Sequence, residues 1–546
     1  MRLFWLQVVR AADYKAMALN IHGMLKELEP RRGEIFLQST VNNQTVLRPI
    51  ATSRNLYDVY AVPLEIENPE DAAKKISELL ELDFETLKER FSKEGDPYEP
   101  VIEKIDEDKS KLVTALGIKG IALTSQSARY YPDKDLFSHL LGFVGLKDDE
   151  KVGQYGLEQY FDKTLRGEKG YLAADKDAAG NPIAVSGLTQ KAAVDGANLV
   201  LTIDYQIQYT ACDELKKAVA KYGAAAGSVI VMDPKTGALL ALCNYPNFDP
   251  NEYGKVKEAN VFVDHAVVDT YEPGSIFKPL VMSAAIDQGI LTPDSTYNDT
   301  GEVKIGSYTI HNSDNKGHGV QNMIGVLEKS LNTGMVFVGQ QVGRETLKKY
   351  LQNYGFGQAI EIESPGEGKG DISSLNKKPE TYLATASFGQ GLTVTPLQMV
   401  AAFGALANQG KMMKPYLVNE IQYSATHQTK TETKMLQQVI SPAAATTISA
   451  MLVDVVDRGY GNKAYMPGYY IAGKTGTAEV ASKGKYSDRT IQSFIGYGPI
   501  KNPRFVMLVK LDEPTNSRFA ESSATPTFRN IAEFILNYYE VPPDRN

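Results

Sequence analysis

Hydrophobic and polar residues follow two rhythms along this chain, and the texture changes near residue 198. Before it, RRGEIFLQSTVNNQTVLRPIA (31–51) alternates with period two around an Asn-rich turn, the pattern of short strands. At 68–82 the period becomes helical. Ile76, Leu79 and Leu80 make an apolar stripe, Asn68 suits the cap, and Pro69 suits the first helical position. A second short helix is predicted over 83–91, with Phe84, Leu87 and Phe91 on one side. The stretches 127–145 and 153–171 add Gly and Tyr but no candidate for chemistry, so this part reads as a pedestal or interaction module.

From Asn198 onward, a strand runs into an amphipathic helix (198–223). GSVIVMDPKTGALLALCNYP then reads as a hairpin, because Asp233, Pro234 and Gly237 are turn formers between two apolar runs. Helices dominate the middle, among them the Ala-rich 395–410. Strands return at 469–480, 493–500 and 504–514, and a last helix places Phe528, Ile531, Ile535 and Tyr538 at helical spacing. Strands at both ends with helices between predict one antiparallel sheet completed by both ends of a domain, plus a helical lobe. A chain starting near Asn198 would keep its core and fold. One starting after Tyr245 would lose the hairpin and would not fold.

Composition narrows the picture without deciding it. At 546 residues the chain exceeds a single core, so two or three domains are expected. A net charge of −8, with no basic cluster interleaved with aromatics, argues against a nucleic-acid partner. Cys212 and Cys243 each sit inside an apolar or helical pattern and read as buried small hydrophobes, neither a disulfide framework nor a metal set. His311 and His318 flank Asp314 in a polar loop, short of the convergent ligands zinc requires; no metal and no cofactor is implied. No run approaches the roughly 18 apolar residues of a membrane span. The opening MRLFWLQVVRAADY holds a short apolar patch, Leu3 to Val9, broken by Gln7, without the length or cleavage pattern of a signal peptide. Taken literally, the chain is soluble and has no export address.

Candidate chemistry begins with TYEPGSIFKPL (270–280). Glu-Pro-Gly is a turn signal, and the apolar 280–290 after it reads as a buried helix. Pro279 lacks an N–H and is tolerated only near a helix start, so the helix opens at or close to Ser275. Residues three apart share a helix face, which brings the Lys278 amine beside the Ser275 hydroxyl, an arrangement for an activated nucleophile. Alone, this is equally a helix cap followed by a solvated lysine. Two further motifs follow: Ser330-Leu331-Asn332, and Lys474-Thr475-Gly476-Thr477 on a predicted strand. The ordered trio is the S-x-x-K, S-x-N, K-T-G set known from penicillin-binding proteins and serine β-lactamases.

With these motifs the chain resembles a class B penicillin-binding protein, a monofunctional D,D-transpeptidase of peptidoglycan synthesis. RRGEIF, GLEQYFDKTLRGEKG, LTIDYQIQ, VMDPKTGALLAL, SFGQGLTVTPLQM and FIGYGPIKNPRFV extend the resemblance over nearly the whole chain from about residue 30. It implies an α+β multidomain fold: a pedestal of the family's dimerisation type (1–195), then a transpeptidase domain (196–546) with an antiparallel sheet flanked by helices and a helical lobe. It implies that Ser275 attacks the penultimate D-alanine of a stem peptide and that an amine from a second strand resolves the acyl-enzyme. Lys278 must be a neutral base, so burial, the helix N-terminus and the charge of Lys474 should all lower its proton affinity. Ser330 would relay a proton to the leaving amine, and Asn332 would hold Lys278 and the substrate amide. The backbone N–H groups of Ser275 and Thr477 would form the oxyanion hole, while Lys474, Thr475 and Thr477, with Gly476 between them, would meet the substrate carboxylate.

Three departures from the family pattern stand out. Leu37-Gln38 follows Phe36 where Asp-Arg is usual. Leu331 fills the middle of S-x-N, so Glu328 to Asn332 also spells E-x-x-L-N, the motif of the deacylating glutamate in class A β-lactamases. Those residues cannot fill both roles, and Glu328 is expected on the preceding helix, facing solvent. The family carries an anchor helix just before a segment like RLFWLQVVRAADY, and none is expected in this sequence; the resemblance still implies a place on the extracytoplasmic face of the bacterial membrane. The resemblance further implies β-lactams as covalent inhibitors, and a membrane glycosyltransferase with divisome or elongasome proteins as partners; 494–514 looks more division-like. A carboxypeptidase, a β-lactamase, or a penicillin-binding sensor with little turnover would share the acylation half and differ in what attacks the acyl-enzyme.

Overall fold

The computed structural model describes residues 23–41, 44–148, 150–175, 189–482 and 485–545. The opening apolar patch and the turn at Asn42 and Asn43 lie outside the described residues. The chain divides into two compact units. The first gathers the described residues of Met1–Glu34, Ala51–Pro132 and Lys163–Ala197; the second gathers those of Ile35–Ile50, Asp133–Asp162 and Asn198–Asn546.

In the first unit, residues 52–61 of strand Gln44–Ala61 pair antiparallel with Ile121–Tyr130, from Thr52 opposite Tyr130 to Ala61 opposite Ile121. Glu99–Ile105 pairs on the other side. Helix Pro69–Leu80 starts as its sequence predicts, with Asn68 Oδ1 accepting from the Asp71 N–H at 3.1 Å and Pro69 in the first turn. With helix Phe84–Phe91 it buries Ile76, Leu80, Leu87 and Phe91 against Val59, Ala61 and Ile105.

The second unit is built on a five-stranded sheet: β1 (Ala226–Met232), β2 (Leu239–Tyr245), β3 (Ala472–Ser482), β4 (Lys485–Gly498) and β5 (Phe505–Asp512). Its order is β2-β1-β5-β4-β3, and every neighbouring pair is antiparallel. The β1–β2 hairpin and the return of the late strands are both as expected. The helices around the sheet are α1 (Tyr205–Tyr222), α2 (Lys278–Asp287), α3 (Met323–Glu328), α4 (Asn332–Val342), α5 (Pro396–Ala407), α6 (Pro442–Asp457) and α7 (Ala524–Tyr538). On one face, Ile207, Ala211 and Leu215 of α1 and Phe528, Ile531 and Ile535 of α7 pack with Val229, Val231, Phe494, Met507 and Val509. Successive strand residues point to opposite faces, so Ile230, Met232 and Leu508 turn away from that core, and α5 packs against β1 and β5.

Two expectations are corrected here. Cys212 and Cys243 are not lone buried cysteines but a disulfide: α1 packs along β2, which brings together residues 31 apart in sequence with Cα atoms 5.4 Å apart. Tyr538 does not continue the buried stripe of α7. It is 43% exposed, stacks on Phe534 and donates its hydroxyl to Asp204 at 3.2 Å, because a ring with a polar tip is better placed at the rim than in the core.

Two stretches from before residue 195 also belong to this unit. Strand Ile35–Val41 pairs parallel with Asn198–Leu201, which pairs antiparallel with Val418–Ser424. Residues 133–162 supply Phe143, which stacks on Tyr253 at 4.3 Å and meets Phe248 and Phe262 edge-on. Among the described residues, no helix is long and apolar enough to cross a membrane.

Candidate active site

The Glu-Pro-Gly turn does what its sequence predicts. Gly274 takes φ +56, a 3-10 turn spans Gly274–Phe277, and α2 follows at once with Pro279 in its first turn. The Lys278 N–H donates to the Ser275 carbonyl, so one tight turn separates the two side chains. Beyond them residues 280–285 are all buried and, apart from Ser283, apolar, which holds the turn on a rigid base. The turn is gripped from below. The Gly274 N–H donates to the Gly389 carbonyl at 3.0 Å, and any side chain on Gly389 would collide with the Gly274 carbonyl.

The second motif sits at a helix end. The Ser330 N–H donates to Leu327 at 3.2 Å and the Leu331 N–H to Val326 at 2.9 Å, the two bonds of a Schellman termination of α3. Its left-handed position, where glycine is usual, is filled by Ser330 at φ +54. A non-glycine residue there costs about 1–3 kcal/mol, and the structure uses the hydroxyl that such a residue carries. Glu328 ends α3, as expected, but does not face open solvent: Arg458 Nε donates to its carboxylate at 3.1 Å. Asn332 opens α4.

The third motif lies on β3, the edge strand. Gly476 is required there by close approach, since a Cβ would stand 2.9 Å from Ile276 Cγ2 and 2.7 Å from Ser493 Oγ. Its absence brings the Ser275 turn against β3.

The three motifs meet at two amines. Lys278 Nζ donates to the Ser330 carbonyl at 2.7 Å, Ser330 Oγ at 3.2 Å and Asn332 Oδ1 at 2.8 Å. Lys474 Nζ donates to the same Ser330 Oγ at 3.1 Å, and to the Thr475 carbonyl and hydroxyl at 3.1 and 3.3 Å. Thr477 Oγ1 accepts from the Ala520 N–H at 3.2 Å. Three of the groups that shape the site are main-chain atoms the motifs did not reveal: the Gly389 carbonyl, the Ala520 N–H, and the His311 carbonyl, which accepts from Asn332 Nδ2 at 2.9 Å. Only the glycine-rich SFGQG hinted at one of them.

Both lysines are fully buried. Burial pushes Lys474 down to about 7. Burial also lowers Lys278, and the charge of Lys474 acts in the same direction. A hydroxyl has one hydrogen to give and lone pairs to accept with, so Ser330 Oγ can donate to a neutral amine while accepting from the protonated one. The arrangement can pass a proton between the two amines through the Ser330 hydroxyl.

Two family models match the chain: the penicillin binding protein transpeptidase domain over residues 227–533, and the penicillin-binding protein dimerisation domain over 27–201. The chain is 33% identical over 552 residues to the stage V sporulation protein D of Bacillus subtilis (strain 168), covering all of this chain and 84% of that protein. It is 30% identical over 502 residues to a probable peptidoglycan D,D-transpeptidase, PenA, of Neisseria gonorrhoeae, covering 91% and 84%. Among solved structures, penicillin binding protein 3 from Mycobacterium tuberculosis complexed with ampicillin superposes with a TM-score of 0.73 at 26% identity, covering 95% of this chain and 98% of that one. With both domains matched and full-length relatives at this identity, the chain belongs to the class B penicillin-binding proteins.

Proposed function

We propose that this protein is a peptidoglycan D,D-transpeptidase working through a serine acyl-enzyme. The observation that carries the mechanism is the single Ser330 hydroxyl held between two buried lysine amines, beside the turn that presents Ser275. Lys278, neutral through burial, takes the Ser275 proton as Oγ attacks the penultimate D-alanine carbonyl. The oxyanion is met by the N–H groups of Ser275 and Thr477, donors worth about 3 kcal/mol each in comparable enzymes. Collapse expels the terminal D-alanine, whose amine is protonated through Ser330. An amine from a second strand then attacks the ester carbonyl; it gives a proton to the neutral Lys278, which passes one to Ser275 Oγ as the ester C–O bond breaks and the cross-link is complete. Lys474, Thr475 and Thr477 hold the substrate carboxylate. A β-lactam follows the first half and remains as the ester.

Within residues 1–195, the parts outside 35–50 and 133–162 are the non-catalytic pedestal in this reading, and 196–546 carry the chemistry with those two stretches as support. The work lies on the extracytoplasmic face of the membrane, beside a glycosyltransferase and the division or elongation machinery. The Cys212–Cys243 disulfide supports that placement, since disulfides persist in oxidising compartments. Intact-mass spectrometry after benzylpenicillin treatment tests the reading. One added acyl mass is expected on the wild type and none on Ser275→Ala; a wild type without adduct at saturating drug overturns it.

A further inference from the structure

Asn332 reaches Lys278 through its carboxamide oxygen, and nearly the same shape turned over would offer the nitrogen instead. The structure holds one orientation. Nδ2 donates to the His311 carbonyl at 2.9 Å, which leaves Oδ1 for Lys278 at 2.8 Å. A neutral lysine has two N–H donors and one lone pair. With the Ser330 carbonyl and Asn332 Oδ1 taking the donors, the lone pair is left to accept from a hydroxyl, which in the structure is Ser330 Oγ at 3.2 Å. A reversed Asn332 would donate to that lone pair and occupy it.

What fixes the His311 carbonyl is a small module of short strands at 296–322. Thr296–Asp299 pairs with Gly319–Asn322, and Glu302–Ile305 with Tyr308–His311. Asp299, which ends one of these strands, and Asn312, which directly follows another, are 3% and 2% exposed. The Asp299 carboxylate accepts from the Gly301 N–H at 3.0 Å, the His318 N–H at 3.1 Å, Thr333 Oγ1 at 2.7 Å, and Asn312 Nδ2 at 3.0 and 2.9 Å. Among the described residues no lysine or arginine forms an ion pair with it, so neutral donors carry this buried charge. Asn312 is equally occupied. Its Nδ2 also reaches the Lys316 carbonyl at 3.1 Å, and its Oδ1 accepts from the Thr333 N–H at 3.2 Å. The His311 carbonyl and the Asn312 N–H belong to one peptide plane, and that N–H donates to the Gly301 carbonyl at 3.0 Å.

We propose that Asp299 and Asn312 are positioning residues for acylation: a buried carboxylate–carboxamide pair that fixes the His311 peptide and the first turn of α4, and so presents Asn332 Oδ1, not Nδ2, to Lys278. The pair touches neither substrate nor reacting atom. It acts through Thr333, which follows Asn332, and through the carbonyl that holds the Asn332 amide. The proposal rests on Lys278 being the base.

The test separates benzylpenicillin acylation into the rate constant of the chemical step and the constant for reversible binding, with thermal unfolding in parallel. Asn312→Ala and Asp299→Asn should each slow the chemical step at least tenfold and leave reversible binding within about twofold. Asn312→Asp, which sets two carboxylates against each other, should be slower still. Folded single variants that acylate within threefold of wild type overturn the proposal. Should the alanine variant not fold, Thr333→Val, which deletes only the bridging hydroxyl, gives the same reading at smaller amplitude: unchanged chemistry there counts against the proposal. Lys278→Met is run alongside. If it acylates at the wild-type rate, the assignment of the base fails; if it is slow while the Asp299 and Asn312 variants are fast, the positioning proposal alone fails.

Discussion

Lys278→Arg keeps a long cationic side chain yet is expected to abolish fast acylation. A lysine with its ordinary pKa near 10.4 is neutral in about one molecule in 2,500 at pH 7, a shortfall of about 4.6 kcal/mol for any base that must be neutral. Burial and the Lys474 charge remove part of that shortfall, at about 1.36 kcal/mol per unit by which the amine is lowered. Arginine cannot follow, because its guanidinium stays protonated at working pH. Nor does its planar fork match acceptors spaced at 2.7, 3.2 and 2.8 Å around one amine nitrogen. Losing a general base slows such a step by about 10²–10⁴, or about 2.7–5.5 kcal/mol of barrier. Stopped-flow acylation by a chromogenic penicillin measures this directly, and a thermal melt within a few degrees of wild type keeps misfolding out of the comparison. A Lys278→Arg protein that acylates within about threefold of wild type, under 1 kcal/mol of barrier, would refute the assignment.

Further outcomes follow from the same geometry. Glu328→Ala should leave the acyl-enzyme lifetime nearly unchanged, because the carboxylate is engaged by Arg458; a lifetime lengthened tenfold or more, about 1.4 kcal/mol of barrier, would mean that it helps water attack the ester. Lys474 carries its charge below about pH 7 and loses it above, so the second-order acylation constant for carboxylate-bearing penicillins should fall as pH rises from about 7 to about 9. In Lys474→Met that alkaline limb should vanish, and a wild-type profile that stays flat across the range contradicts the reading. A chain beginning at Asn198 keeps all five strands of the sheet but leaves Asn198–Leu201 without its parallel partner and Tyr253 without Phe143. Penicillin binding should therefore be lost, and cooperative unfolding with full binding from that chain would show that the earlier stretches are dispensable.

Much of this was legible because local chemistry and tertiary context agree. Asn68 and Pro69 start their helix, Asp233 to Gly237 closes its hairpin, and Pro279 marks the first turn of α2, each by rules acting within a few residues. What escaped acts across the chain. The Cys212–Cys243 pair depends on how α1 lies along β2, which neither apolar pattern states. The left-handed Ser330 looks in sequence like any cap or turn serine, because the termination it completes would ordinarily call for glycine. Asp299 and Asn312 sit among short, polar strands whose burial comes from neighbours, not from their own composition. The stretches 35–50 and 133–162 join the second unit through pairing and ring contacts formed with residues more than a hundred positions later.

The sheet order has a consequence for when the protein becomes competent. β5 lies between the β1–β2 hairpin and the β3–β4 pair, so those two halves have no hydrogen-bonded connection until it is in place. Pairing of β1 with β5 joins Val229 to Val509, a very long loop to close, and contacts of that span make folding slow. During synthesis the Ser275 turn and the Ser330 termination can form early, but the strand bearing Lys474 cannot be locked against them until residues 505–512 arrive. Reactivity should therefore emerge late and all at once, and a chain interrupted anywhere between β4 and β5 should show no penicillin adduct, though every motif residue is present.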